Sequence, residues 1–133
     1  MNLSFAVPGN PVPKGSMKFV GRSKRGKPLM THDNPALRGY MERVKIAANI
    51  EVAGRKPMTG PVYVSLVFCM DVKDITAKLD IDKLVRGVLD AMTGIIYVDD
   101  GQVVEFSPPF CKMLSDNPRT IIRVGKTDAG REW

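Results

Sequence analysis

Four aspartates carry the chemistry that this sequence offers. Asp80 and Asp82 flank an isoleucine in Leu79-Asp80-Ile81-Asp82, and Asp99 and Asp100 stand side by side in Val98-Asp99-Asp100-Gly101. Crowded carboxylates are costly unless a cation neutralises them. Yet the chain around them is basic, with a formal net charge of +6. Acids gathered in a basic protein suggest a divalent-metal site acting on a polyanion. Mg²⁺ and Mn²⁺ are hard cations that prefer oxygen ligands, and Mg²⁺ keeps waters that can serve as nucleophile. One or two such ions stabilise the charge developing in an in-line phosphodiester displacement.

The segment between the two pairs must position them. Ile81, Leu84, Val85, Val88, Leu89 and Met92 recur at helical spacing, which predicts an amphipathic helix with Asp80 as its N-cap and Thr93-Gly94 as its end. Two residues apart in a regular helix point to nearly opposite sides. At a helix start, Asp80 can be extended while Asp82 occupies the first turn, so both can face the space beyond the N-terminus. The helix dipole favours negative charge there. If residues 95–98 return alongside the helix, Asp99 or Asp100 meets Asp80 and Asp82, giving three carboxylates to one ion. Arg86 lies four residues beyond Asp82 and four before Asp90, within reach of either, and Lys83 flanks the same face. Such cations could hold a scissile phosphate. The plainer alternative makes Asp80 a cap, Asp-Asp-Gly a turn, and Arg86 a partner in surface ion pairs.

Around this segment the pattern alternates irregularly between strands and helices. Leu3, Phe5 and Val7 predict a short strand, broken by the proline-rich stretch from Pro8 to Pro13. Met17–Val20 and Pro28–Thr31 predict a hairpin with a basic tip over 21–27. Asn34-Pro35 opens a helix that ends at Gly54. Val62, Val64, Leu66, Phe68 and Met70 give Val62–Met70 one apolar face, and the other face is also mostly apolar, which predicts a central strand covered on both sides. Ile95–Val98 reads as a brief extended piece, Val103–Phe106 as a strand, and Arg119–Val124 as the last strand. The class is α+β, in one domain over residues 1–124 with a mobile tail over 125–133.

Composition narrows the function. Residues 1–56 carry +8 and residues 57–133 carry −2. That asymmetry suits a protein that grips phosphates with one part and places metal with another. Lys14, Lys18, Arg22, Lys24, Arg25 and Lys27 crowd one stretch and could track a nucleic-acid backbone, with Lys83 beside the acids. His32 is the single histidine, and Cys69 and Cys111 lack zinc-ligand spacing. No apolar run approaches the roughly 20 residues of a membrane span, and the N-terminus does not read as a signal peptide, so a cytoplasmic protein is expected. No GxxxxGK[ST] loop supports a mononucleotide enzyme. A non-catalytic basic nucleic-acid-binding protein stays open as an alternative.

The segment from Leu79 to Met92, followed by Tyr97-Val98-Asp99-Asp100-Gly101-Gln102-Val103-Val104, resembles the core motif of the RusA-like Holliday-junction resolvases. That family shows Asp-x-Asp, a helix with an Asp-Ala-Leu-like end, then Asp-Asp-x-Gln-Val. The resemblance implies a small mixed sheet packed with two main helices. It also implies a Mg²⁺-dependent endonuclease, with Mn²⁺ as a possible substitute, that nicks four-way DNA junctions symmetrically as a homodimer in recombination and repair. By motif position, Asp80, Asp82 and Asp100 would be the essential carboxylates and Asp99 accessory. Arg86 falls where the family often carries a catalytic-site lysine, and Lys83 replaces the asparagine that usually follows the second aspartate. The resemblance further implies a bacterial cell, with phage or prophage origin common in the family.

Overall fold

A computed structural model describes residues 2–15, 18–22, 28–31, 34–76 and 79–132, the backbone alone for 18–22 and 28–31. The elements run β1 (Asn2–Pro8), β2 (Lys18–Arg22), β3 (Pro28–Thr31), α1 (Pro35–Val52), β4 (Val62–Met70), α2 (Ile81–Met92), a 3-10 turn (Asp100–Gln102), β5 (Val103–Phe106), β6 (Cys111–Leu114) and β7 (Arg119–Lys126). The fold is α+β, with one mixed five-stranded sheet and two helices.

Strand β4 is the centre of the sheet. It pairs antiparallel with β7 along its whole length, and β7 pairs antiparallel with β1. On its other edge β4 meets two short parallel strands end to end. β5 lies against Val62–Val64, and β6 against Val67–Met70. Of the nine residues of β4, Tyr63 alone is not fully buried, and the buried Ser65 hydroxyl is satisfied by donating to the Pro109 carbonyl at 2.6 Å. β2 and β3 form a separate antiparallel hairpin with Lys18 opposite Thr31 and Arg22 opposite Pro28.

Both helices pack on one face of the sheet. That face presents Leu3, Val7, Val64, Leu66, Phe68, Ile122 and Val124 to Tyr40, Val44 and Ala48 of α1 and to Leu84, Val88 and Met92 of α2. Ala48 aside, fully burying each of these side chains contributes about 1.5–3 kcal/mol. Helix α1 begins as its sequence dictates. The Asn34 side chain accepts hydrogen bonds from the Ala36 and Leu37 amides at 3.0 and 3.3 Å, with Pro35 in the first turn. One buried polar link ties α1 to the sheet: the Tyr40 hydroxyl and the Thr120 hydroxyl lie 2.6 Å apart.

Several boundaries differ from expectation. Helix α1 is capped by Ala53 at φ 50, one residue before the expected Gly54, whose φ of 80 continues the left-handed exit. Residues 95–98 do not form an extended piece. The Ile95 and Ile96 amides both bond back to the Met92 carbonyl, and the Gly94 amide bonds to the Tyr97 carbonyl at 2.7 Å. Gly94, at φ 85, makes this tight turn possible. The last strand runs on to Lys126, and Thr127 beyond it donates to the Glu105 carboxylate at 2.6 Å. Strand β6 escaped the sequence reading, since its four residues show no alternation of burial.

Candidate functional site

Helix α2 places the first aspartate pair. Asp80 occupies the N-cap, and its carbonyl accepts the Lys83 and Leu84 amides, both at 3.1 Å. Its side chain makes no capping hydrogen bond. The expected cap is therefore a backbone cap only, and the carboxylate remains 63% exposed, with the Lys83 ammonium 3.8 Å away. Asp82 and Arg86 are exposed one turn apart, on the outward stripe that four-residue spacing generates. Among the described residues, Asp82 and Arg86 have no hydrogen-bond or ion-pair partner.

Asp90, further along the same stripe, is taken. Its carboxylate accepts from the Lys14 ammonium. The Lys14 amide also donates to the Lys83 carbonyl at 3.0 Å, so the proline-rich loop lies along α2. Lys83 thus stands beside the first aspartate pair, while the Lys14 backbone passes Lys83 and its ammonium reaches along α2 to Asp90. Lys24, Arg25 and Lys27 lie outside the described residues, as do the side chains of Lys18 and Arg22.

The second pair sits elsewhere. After the Gly94 turn the chain crosses to the segment before β4, where Tyr97 bridges Met58 and the Met58 amide donates to the Ile96 carbonyl at 2.8 Å. Asp99 then caps the 3-10 turn, accepting from the Gly101 amide at 3.0 Å. Asp100 is exposed and, among the described residues, unpartnered. Buried Tyr97 marks where these carboxylates lie. Burial pushes its pKa upward and the Thr93 hydrogen bond opposes this, while the nearby negative charges of Asp100, Asp90 and Asp99 add to the rise.

Asp80–Asp82 and Asp99–Asp100 therefore stand at opposite ends of α2. Helical rise puts Asp80 and Thr93 about 20 Å apart. The sheet gives an independent ruler. Lys112, opposite Phe68 in β6, donates to the Leu79 carbonyl, which fixes the start of α2 near the end of β4. Val103, three residues after Asp100, lies opposite Val62 at the beginning of β4. Strand rise separates Val62 and Phe68 by about 20 Å as well. Within one chain residues 95–98 do not return alongside the helix, so the condition under which Asp99 or Asp100 would join Asp80 and Asp82 at one ion is not met. Accordingly, no group of three metal-ligating acidic, His or Cys side chains occurs among the described residues. Asp80 and Asp82 alone still fit a hard cation in type and exposure, because Mg²⁺ is commonly held by one or two carboxylates, waters and substrate phosphates.

Two further residues hold these segments in place, and neither figures among the residues expected from sequence. The Lys112 ammonium donates to the carbonyls of Ile75 and Leu79, at 2.8 and 3.0 Å, immediately before Asp80. Nothing local to Lys112 signals this, as the contact spans the sheet. Gln102 closes a capping box with Asp99. Its spacing, three residues after an aspartate, is a readable signal.

These elements coincide with a family pattern. The model of the endodeoxyribonuclease RusA family matches residues 8–125, which include both aspartate pairs and most of the chain. The protein belongs to the RusA endodeoxyribonuclease family. It is also similar to the uncharacterized protein YqaN of Bacillus subtilis (strain 168), at 28% identity over 145 residues, covering 96% of this chain and 98% of that one. Among the described residues no helix is long and apolar enough to cross a membrane.

Proposed function

We propose that this protein is a Mg²⁺-dependent endodeoxyribonuclease that acts as a homodimer on four-way (Holliday) DNA junctions and makes paired symmetric nicks. One observation carries the reading. The family match spans two aspartate pairs whose members Asp80, Asp82 and Asp100 have exposed carboxylates that cap nothing. A helix-start aspartate kept only for folding would be expected to accept a cap hydrogen bond. Asp99 does so and takes the accessory place.

Asp80 and Asp82 would hold the metal at the N-terminus of α2, where the helix dipole favours their charge. Mg²⁺ bound there would supply an activated water and neutralise developing negative charge. Arg86 and Lys83, on the same helix, would orient the scissile phosphate. Lys14 and the basic arm with Lys18, Arg22, Lys24, Arg25 and Lys27 would follow the DNA backbone, with a strongly salt-dependent affinity.

The separation of the pairs supports a two-chain site. A twofold dimer can set the Asp99–Asp100 end of one copy against the Asp80–Asp82 start of the other, and does so twice by symmetry. Two equivalent sites answer the equivalent strands of a four-way junction. Mixing subunits tests this. Asp82→Asn and Asp100→Asn homodimers should each fail to cut a synthetic junction in Mg²⁺. Their mixed dimers contain one intact site if it is shared between chains and none if it lies within a chain. Regained single-strand nicking supports the shared site. Cutting that survives in the separate homodimers refutes the catalytic assignment.

A second reading, a non-catalytic basic nucleic-acid-binding protein, draws on the same separation. It requires the purified wild-type protein to bind junctions without cutting them in Mg²⁺ or Mn²⁺.

A further inference from the structure

We propose that Gln102 is a positioning residue that tethers the Asp99–Asp100 turn to the segment before β4 and so sets where the Asp100 carboxylate points; the inference rests on the metal-nuclease reading above. Residues 98–101 are exposed in succession, and no residue of the 3-10 turn is buried. Apolar packing therefore does not hold Asp100. Hydrogen bonds from one half-buried amide do. The Gln102 side-chain oxygen accepts from the Val98 and Asp99 amides at 2.8 and 2.9 Å. Its nitrogen donates to the Met58 and Gly60 carbonyls at 2.9 and 3.0 Å.

This contact set selects the side chain. It asks for two accepted and two donated hydrogen bonds from one planar group, which an amide provides and a carboxylate does not. The oxygen side alone would be an ordinary local cap. The nitrogen side reaches more than 40 residues back, |i−j| being 44 and 42 for its two bonds. That segment is itself pinned to the end of α2 by the Met58 amide and the Met58–Tyr97 bridge. Gly60 aims its carbonyl from a φ of 79, a conformation that a side chain would strain. Gln102 thus locks the exposed turn to the rigid base of the sheet. Outer residues that orient a metal-binding carboxylate are typically worth about 10–100-fold in metal affinity or activity.

The test compares wild type with Gln102→Glu, which keeps the acceptor and loses both donors, and with Gly60→Ala, which disturbs the same tether from its other end. Three quantities are measured on the full-length protein. They are amide hydrogen exchange at Val98 and Asp99, Mn²⁺ binding without DNA, and the Mg²⁺ concentration giving half-maximal junction cutting. In Gln102→Glu the carboxylate faces the Met58 and Gly60 carbonyl oxygens, which repel it, so the side chain should leave the tether and exchange at both amides should speed up. The substitution should weaken Mn²⁺ binding and raise half-saturating Mg²⁺ by at least about 10-fold. Junction affinity in EDTA should stay within about twofold, and excess Mg²⁺ should restore most of the rate. Gly60→Ala should move the same quantities in the same direction. Unchanged metal dependence in both variants, with wild type active, overturns the positioning role. So does junction affinity that falls in step with the rate, which would mark general unfolding. A wild type that neither binds Mn²⁺ nor cuts refutes the nuclease reading instead, with the exchange data still reporting on the tether.

Discussion

The Lys112 ammonium donates to the Leu79 carbonyl at 3.0 Å, across 33 residues, and so anchors the peptide that leads into Asp80. The same ammonium holds the Ile75 carbonyl, so one charge from the sheet edge organises the approach to α2. Lys112→Met keeps much of the stem and removes the donors. Hydrogen bonds to a charged group contribute about 1.5–3 kcal/mol. A loss of about 2 kcal/mol in urea unfolding is expected, together with slower junction cutting at fixed Mg²⁺. A stability within about 0.5 kcal/mol of wild type would show that the link is idle.

The aspartates proposed as catalytic should separate cutting from binding. Asp80→Asn, Asp82→Asn and Asp100→Asn should each lower Mg²⁺-dependent cutting of a four-way junction by at least about 100-fold, the scale on which lost transition-state electrostatics is felt. Binding in EDTA should hold or tighten, since a charge that repels phosphate is gone. Asp99→Asn should be milder, because asparagine can retain the cap to the Gly101 amide.

Lys14 is engaged by Asp90, with side-chain exposures of 39% and 37%, so its pairing is modest in energy. A double-mutant cycle of Lys14→Ala with Asp90→Ala should return less than about 1 kcal/mol of coupling. In junction binding, Asp90→Ala should release Lys14 toward phosphate and tighten the complex at low salt. An unaltered affinity would remove Lys14 from the DNA-binding surface.

The basic arm makes an independent prediction. Replacing Arg22, Lys24 and Arg25 by alanine should weaken junction binding and flatten the slope of log affinity against log salt by up to about 3. An unchanged slope rejects phosphate contact by these residues.

Burial holds the Tyr40 phenol protonated, pushing its pKa up to about 12 against the Thr120 hydrogen bond and the nearby Arg43 charge. The folded protein then keeps a proton that the unfolded chain releases above pH 10. Stability contributed by this group is complete below that pH and falls as pH rises from 10 toward 12. Urea unfolding should show this decline, and Tyr40→Phe should reduce its slope while costing about 1 kcal/mol at neutral pH for the orphaned Thr120 hydroxyl. Equal slopes for both proteins would refute the assignment.

Much of the local structure was legible because local rules produce it. Asn34-Pro35 starts α1 through a side chain and a missing amide, both properties of those two residues. The apolar spacing from Ile81 to Met92 returns as α2 over the same residues, and the doubly apolar run Val62–Met70 returns as the central strand. β6 was not legible. Its four residues are held in register by β4 rather than by their own alternation. Ile95, Ile96 and Tyr97 are strand-like in type and so read as extended, while Gly94 at φ 85 reverses the chain before they can extend.

Composition and spacing alone determined which residues carry charge, which stripe of α2 faces outward, and that two aspartate pairs flank one helix. Those are consequences of side-chain type and of a fixed 3.6-residue period. Only the tertiary structure decided that the pairs are a helix length apart within a chain. Where the chain goes after Gly94 depends on the Met58 bridge and the Gln102 hydrogen bonds, contacts between residues far apart in sequence. Periodicity reports which face a residue occupies, and it carries no information about which distant backbone will accept its hydrogen bonds.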